Sequence, residues 1–141
     1  MKKESGLAGI DVVIAIVALM IFSGLIFSMM YSNVMENVKL KKETLAMIYM
    51  TEMFENIGIE DYSNLENGDY QDIGNNNYDY TIENIVPKEA QTEFKVDILI
   101  TDELENVESN ENIMKKIIVT LTYEINNKNY ICSMERMKVK E

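Results

Sequence analysis

Two different hydrophobic periods divide this chain. Residues 12–30 are nineteen consecutive positions without a charged side chain. A helix rises about 1.5 Å per residue, so this stretch nearly crosses a hydrocarbon core of about 30 Å. From residue 78 onwards, apolar side chains instead recur at every second position, which is typical of strands with one buried face. The pattern predicts a membrane helix followed by a sheet domain.

The first helix is expected to continue beyond the apolar stretch. Residues 31–57 contain neither Pro nor Gly, and Gly58 then provides a stop signal. We predict one helix over residues 7–57, about 76 Å long, with residues 7–31 in the membrane. Residues 45–57 are expected to pack against the sheet. The side chains that share the predicted apolar face are Val34, Val38, Leu45, Ile48 and Tyr49.

Four short strands are predicted after this helix, in a head that comprises residues 58–141. They cover residues 78–83, 94–101, 116–125 and 130–139, whereas residues 60–77 are rich in Asn, Asp and Gly and are predicted to form a loop. Short connections between strands with one apolar face favour an antiparallel sheet. The predicted fold class is therefore α+β, a long amino-terminal helix packed against a four-stranded antiparallel sheet.

The last strand shows a break in its alternation. Tyr130, Cys132 and Met134 share one face, and Arg136 would join them while Met137 falls on the opposite face. A change of parity within a strand is typical of a β-bulge or a frayed end. We expect one of these two irregularities near residue 136.

Composition and charge exclude several classes of function. The 141 residues leave room for one modest domain besides the helix, and the formal net charge is −11. Because so acidic a surface repels phosphate groups, direct nucleic acid binding is not expected. The chain has no histidine and one cysteine, Cys132, so an intrachain disulfide, His-containing catalytic triads and His-containing zinc sites are excluded. No motif fixes a pair of carboxylates, and we expect no enzyme activity.

Metal and cofactor sites are not expected either. Met47, Met50 and Met53 recur at a spacing of three, but without His or Cys beside them they fit a packed core better than a copper site. The acidic segment 102–111 offers oxygen atoms for calcium, yet it lacks the spacing of a calcium-binding loop. Solvated acidic tips remain the preferred interpretation of such runs.

The amino terminus carries the most specific motif. The leader MKKESG ends in Gly6, an apolar segment follows, and Asp11 is the fifth residue after Gly6. A carboxylate at membrane depth costs roughly 2.5 to 3.5 kcal/mol on insertion scales, so it is normally paired or functional. The alternative is that Asp11 lies among the lipid headgroups and is solvated there.

These residues resemble the class III signal of type IV prepilins and type II secretion pseudopilins. In that family a membrane peptidase cuts after the glycine and methylates the new amino terminus. The resemblance implies cleavage between Gly6 and Leu7, methylation of Leu7, and an assembly role for Asp11, which would pair with the free amine of a neighbouring subunit. The family usually has Phe and Glu where this chain has Leu7 and Asp11.

The resemblance implies a structural subunit of a type IV pilus-like or pseudopilus filament. The order of helix, loop and strands is most similar to minor pilins of the PilV kind and to minor pseudopilin I of type II secretion. Its expected partners are the prepilin peptidase, other pilin-like subunits, the membrane assembly platform and membrane lipid. The subunit would cross the cytoplasmic membrane once, with its head outside, before entering an extracellular filament. The alternative is a single-pass anchored binding or sensor protein that keeps its leader and never polymerises.

Overall fold

The computed structural model describes the backbone of residues 4–106 and 111–140, and the side chains of residues 9–79, 81–103 and 113–140. Helices and strands follow one another in the order α1, β1, α2, α3, β2, β3, β4. Their bounds are α1 Glu4–Ile59, β1 Gly68–Ile73, α2 Tyr80–Ile85, α3 Lys88–Glu93, β2 Lys95–Asn106, β3 Glu111–Ile125 and β4 Lys128–Val139. One turn of 3₁₀ helix covers Tyr62–Asn64.

Helix α1 is continuous over Glu4–Ile59, as the absence of Pro and the good helix formers after residue 30 predicted. It extends two residues past the predicted end at Ile57. The chain forms two compact units, Met1–Leu40 and Lys41–Glu141, so α1 contributes to both. The second unit contains the sheet and its core.

The sheet has the strand order β1-β2-β3-β4, and every neighbouring pair is antiparallel. This confirms the α+β fold class with a long amino-terminal helix and a four-stranded antiparallel sheet. The two central strands are the longest apolar ones, with Val96, Ile98 and Ile100 of β2 and Ile117, Val119 and Leu121 of β3 at most 1% exposed. Burial on both flanks of this face explains why the period of two was so clear in these segments.

The prediction for the first strand was wrong. Residues 78–83 do not form a strand, because α2 occupies Tyr80–Ile85. Ile82, Ile85 and Val86 are all buried, and their spacing of three and four residues is helical. The first strand lies instead at Gly68–Ile73, inside the segment predicted to be a loop. Only Ile73 of β1 is buried, so its sequence carries almost no apolar signal.

The packed face of α1 is rotated relative to the predicted one. Residues 45–57 do pack into the head core, but the buried side chains of this part of the helix are Ala46, Met50, Met53, Phe54 and Ile57. Ile48 is exposed, and Leu45 and Tyr49 only border the core. The methionines Met50 and Met53 therefore act as core residues, as the packing interpretation predicted, whereas Met47 lies on the exposed side.

Strand β4 has no bulge, which corrects the prediction of an irregularity near residue 136. Its pairing with β3 is unbroken from Lys128 to Val139. Arg136 keeps the parity of Cys132 and Met134 because its guanidinium donates to the carbonyl of Phe54 at 3.2 Å. Lys138 likewise donates to the carbonyls of Ile57 at 2.7 Å and Gly58 at 3.3 Å. These cations satisfy orphan carbonyls at the end of α1, so polar residues occupy inward positions.

Candidate functional site

The residues singled out by the sequence lie at the beginning of α1. Gly6 and Leu7 are in its first turns, where the backbone is described but the side chains are not. Asp11 lies four residues after Leu7, about one helical turn further, and its side chain is exposed. Within the described part of the chain, Asp11 makes no hydrogen bond or ion pair. The carboxylate is therefore available to a group outside the chain.

The surface that follows Asp11 is apolar on every side. Val12, Val13 and Ile14 are each about 60% exposed, and consecutive helical residues point about 100° apart. From residue 10 to residue 30, the exposed apolar side chains range from Val17 at 49% to Phe27 at 72%. A helix that is apolar all round is stable in lipid or among other apolar helices, not in water.

Polar groups within this apolar segment are satisfied by the helix itself. The hydroxyl of Ser23 donates to the carbonyl of Leu19 at 2.8 Å, so this side chain presents no unpaired donor to lipid. Gly9 and Gly24 lie on open surface, because a methyl group added at either position would meet no atom within 4 Å. A close approach by another helix is therefore sterically possible at both glycines.

The length and composition of α1 would allow it to cross a membrane. It is the one such helix in the described residues, it lies near the amino terminus, and none of its most apolar stretch is buried. The positions of Gly6, Leu7 and Asp11 at the start of this stretch agree with the register in the sequence. Cleavage, methylation and pairing of Asp11 stay predictions.

The head contains no comparable constellation of reactive groups. In residues 9–79, 81–103 and 113–140, no three His, Cys, Asp or Glu side chains are grouped so that they could hold a metal ion. Cys132 is half-buried on β4. An open cavity of about 400 Å³ lies between the end of α1 and β4, where Phe54, Ile57 and Ile117 meet Arg136 and Lys138.

Sequence reasoning missed the two cations in this cavity. The signal was present in the parity of β4, because Arg136 occupied an inward position that an apolar residue would normally fill. Recognising it required knowing that the carbonyls at the end of α1 lie opposite. Comparisons of the chain with protein-family models, curated proteins and solved structures found no match.

Proposed function

We propose that this chain is a structural subunit, of the minor kind, of a type IV pilus-like or pseudopilus filament. The observation that carries the proposal is the exposed apolar surface of α1, which begins beside a single unpaired carboxylate, Asp11. Such a surface needs an apolar environment on all sides. Lipid provides it before assembly, and the equivalent helices of neighbouring subunits provide it in a filament.

The motif at the amino terminus supports the same function. A prepilin peptidase would cut between Gly6 and Leu7 and methylate Leu7, which leaves a positively charged amine one helical turn before Asp11. In the filament, the amine of one subunit would neutralise Asp11 of its neighbour. Because an unpaired carboxylate is costly at membrane depth, this pairing favours the assembled state over the isolated subunit.

The proposed location follows from the same helix. The subunit crosses the cytoplasmic membrane once, with the acidic head outside, and then enters an extracellular filament through the assembly platform. The head would lie on the filament surface, where its net negative charge keeps it solvated. Neither a nucleic acid nor a cofactor is part of the proposal.

Substitution of Asp11 tests the pairing. Asp11→Ala should leave expression and membrane insertion intact and reduce incorporation into filaments at least about tenfold, since loss of an ion pair at membrane depth removes roughly 1.4 kcal/mol or more. Asp11→Glu is the matched control, because it keeps the charge, and should retain incorporation. Wild-type incorporation of Asp11→Ala, measured by immunoblots of sheared filaments against membranes, would refute the pairing.

Mass spectrometry of the protein from its own cells distinguishes the filament subunit from an anchored binding or sensor protein. A mature chain that starts at methylated Leu7 supports the filament subunit. A chain that starts at Met1 supports the anchored protein. Gly6→Ala provides the control, since it should block the cut and leave the leader attached.

A further inference from the structure

The two edges of the head sheet differ in their readiness to accept another strand. At the β1 edge, the hydroxyl of Tyr78 accepts from the backbone N–H of Gln71 at 2.9 Å and donates to its carbonyl at 2.6 Å. The side-chain amide of Asn76 donates to the same carbonyl at 2.8 Å. Asp72 has a φ of 53°, which interrupts the extended backbone. The β1 edge is therefore closed by the chain itself.

The β4 edge is long, regular and open. All twelve residues of Lys128–Val139 pair with β3 without a register shift. The two-residue turn at Asn126 and Asn127 has positive φ at both positions, which makes Ile125 and Lys128 a hydrogen-bonded pair. At the far end, the N–H of Lys140 donates to the carbonyl of Ile113 at 2.9 Å. Even-numbered residues of β4 therefore bond to β3, and odd-numbered ones direct their N–H and C=O groups outwards.

The outward backbone groups belong to residues 129–139 of odd number. No backbone hydrogen bond of these residues within the described chain leads away from β3. Their side chains lie on the face of the sheet opposite α1, and three of them are exposed and apolar: Ile131, Met137 and Val139. A row of free backbone groups flanked by exposed apolar side chains is a template for one more strand.

The charges on β4 define what that strand must carry. In a chain of net charge −11, β4 has three basic residues, Lys128, Arg136 and Lys138, and one acidic residue, Glu135. All three basic residues have even numbers, so they share the face that looks towards α1. Arg136 borders the open cavity of about 400 Å³ at the end of α1. A strand added here would meet positive charge on one face and apolar side chains on the other.

We infer that the β4 edge binds an extended segment of another protein in which acidic and apolar residues alternate. Its acidic side chains would lie beside Arg136 and Lys138, and its apolar ones beside Ile131 and Met137. Main-chain hydrogen bonds would give affinity and the two faces would give specificity. This binding does not depend on the proposed filament, so either proposal can fail without the other.

A second copy of this chain does not fit the site. The described strands β2 and β3 are paired on both sides, and the β1 edge is closed by Tyr78 and Asn76. Pairing β4 with β4 of a second copy would bring two strands of the same positive sign together, which is unfavourable. The occupant is therefore an acidic strand from a different protein.

Binding of a model peptide tests the inference on the full chain in detergent micelles. The probe is a short blocked peptide in which Glu and Val alternate, and its comparator has Lys in place of Glu. Fluorescence anisotropy should show that the Glu peptide binds at least about tenfold more tightly than the Lys peptide, and that added salt weakens it. Equal binding of the two peptides would overturn the inference.

Ser133→Pro locates the binding site. The N–H of Ser133 points outwards, so proline removes a free donor at an edge position where proline is tolerated. The variant should weaken the Glu peptide about tenfold, with Ser133→Ala as the matched control that leaves affinity unchanged. Wild-type affinity of Ser133→Pro would refute the edge as the site.

Amide hydrogen exchange of the unmodified chain gives an independent answer if Ser133→Pro fails to fold. The Glu peptide should slow exchange at Ile131, Ser133 and Glu135, whose amides face outwards, and leave β1 unchanged. Protection elsewhere in the head would contradict the inference. Protection of the same amides that grows with protein concentration, without peptide, would show that a second copy occupies the edge and would also overturn it.

Discussion

The two parts of helix α1 use the same kinds of side chain in opposite surroundings. Met20 is 66% exposed, whereas Met53 is fully buried in the head core. Around Met20 the helix is apolar on all sides, and around Met53 the apolar face meets the sheet while Glu52 and Glu55 stay in solvent. The difference teaches that one sheet can satisfy a helix with one apolar face. A helix apolar on every side needs lipid or other helices.

Matched truncations of these two methionines would break or sharpen the comparison most strongly. Met53→Ala should lower the free energy of unfolding of the head by about 2–5 kcal/mol, because it removes buried contacts and leaves a cavity. Met20→Ala is the control and should change it by less than about 0.5 kcal/mol. Denaturant titration in detergent micelles, followed by near-ultraviolet circular dichroism, measures both values. Equal losses would contradict the division.

The end of α1 in the head offers the next largest effect. Lys138 donates to the carbonyls of Ile57, Gly58 and Glu60, so Lys138→Met leaves several carbonyls without a partner. The free energy of unfolding should fall by about 1–3 kcal/mol. Lys128→Met on the same strand is the control, since Lys128 is exposed, and should have almost no effect. A similar loss in both variants would mean that charge, not helix capping, is responsible.

A smaller effect is expected at Tyr123, whose ring is buried against Phe94 and Tyr130. Among the described residues, its hydroxyl has no hydrogen-bond partner. Tyr123→Phe should therefore raise the free energy of unfolding by up to about 1 kcal/mol at neutral pH. Thermal unfolding in micelles measures the change. A loss of stability would show that the hydroxyl is satisfied in solution.

The same residue gives a pH dependence of defined sign. Burial, followed by the nearby Cys132 and Glu43, raises the pKa of Tyr123 from its ordinary value of 10.0 to about 12. Above pH 10 the unfolded chain loses the phenolic proton first, so alkali favours unfolding by about 1.4 kcal/mol per pH unit until pH 12. Tyr123→Phe should lose less stability between these pH values. An unchanged slope would contradict the raised pKa.

The outcome of the sequence predictions depended on how each segment is buried. Strands β2 and β3 are buried along one entire face, and their period of two predicted them correctly. Strand β1 buries only Ile73, and its pairing with the free edge of β2 is a long-range choice that polar side chains do not encode. The alternation of Tyr78 and Ile82 was misleading because Ile82, Ile85 and Val86 turn one helical face to the core.

By itself, the sequence determined the long helix, its apolar first part, the leader motif with Asp11 and the antiparallel class of the sheet. These features follow from local periodicity and from residue types at fixed spacing. The tertiary structure alone decided the rotation of α1 on the sheet, the position of the first strand, the inward cations of β4 and the contrast between its closed and open edges. Those features depend on contacts between residues far apart in the chain, which no local pattern contains.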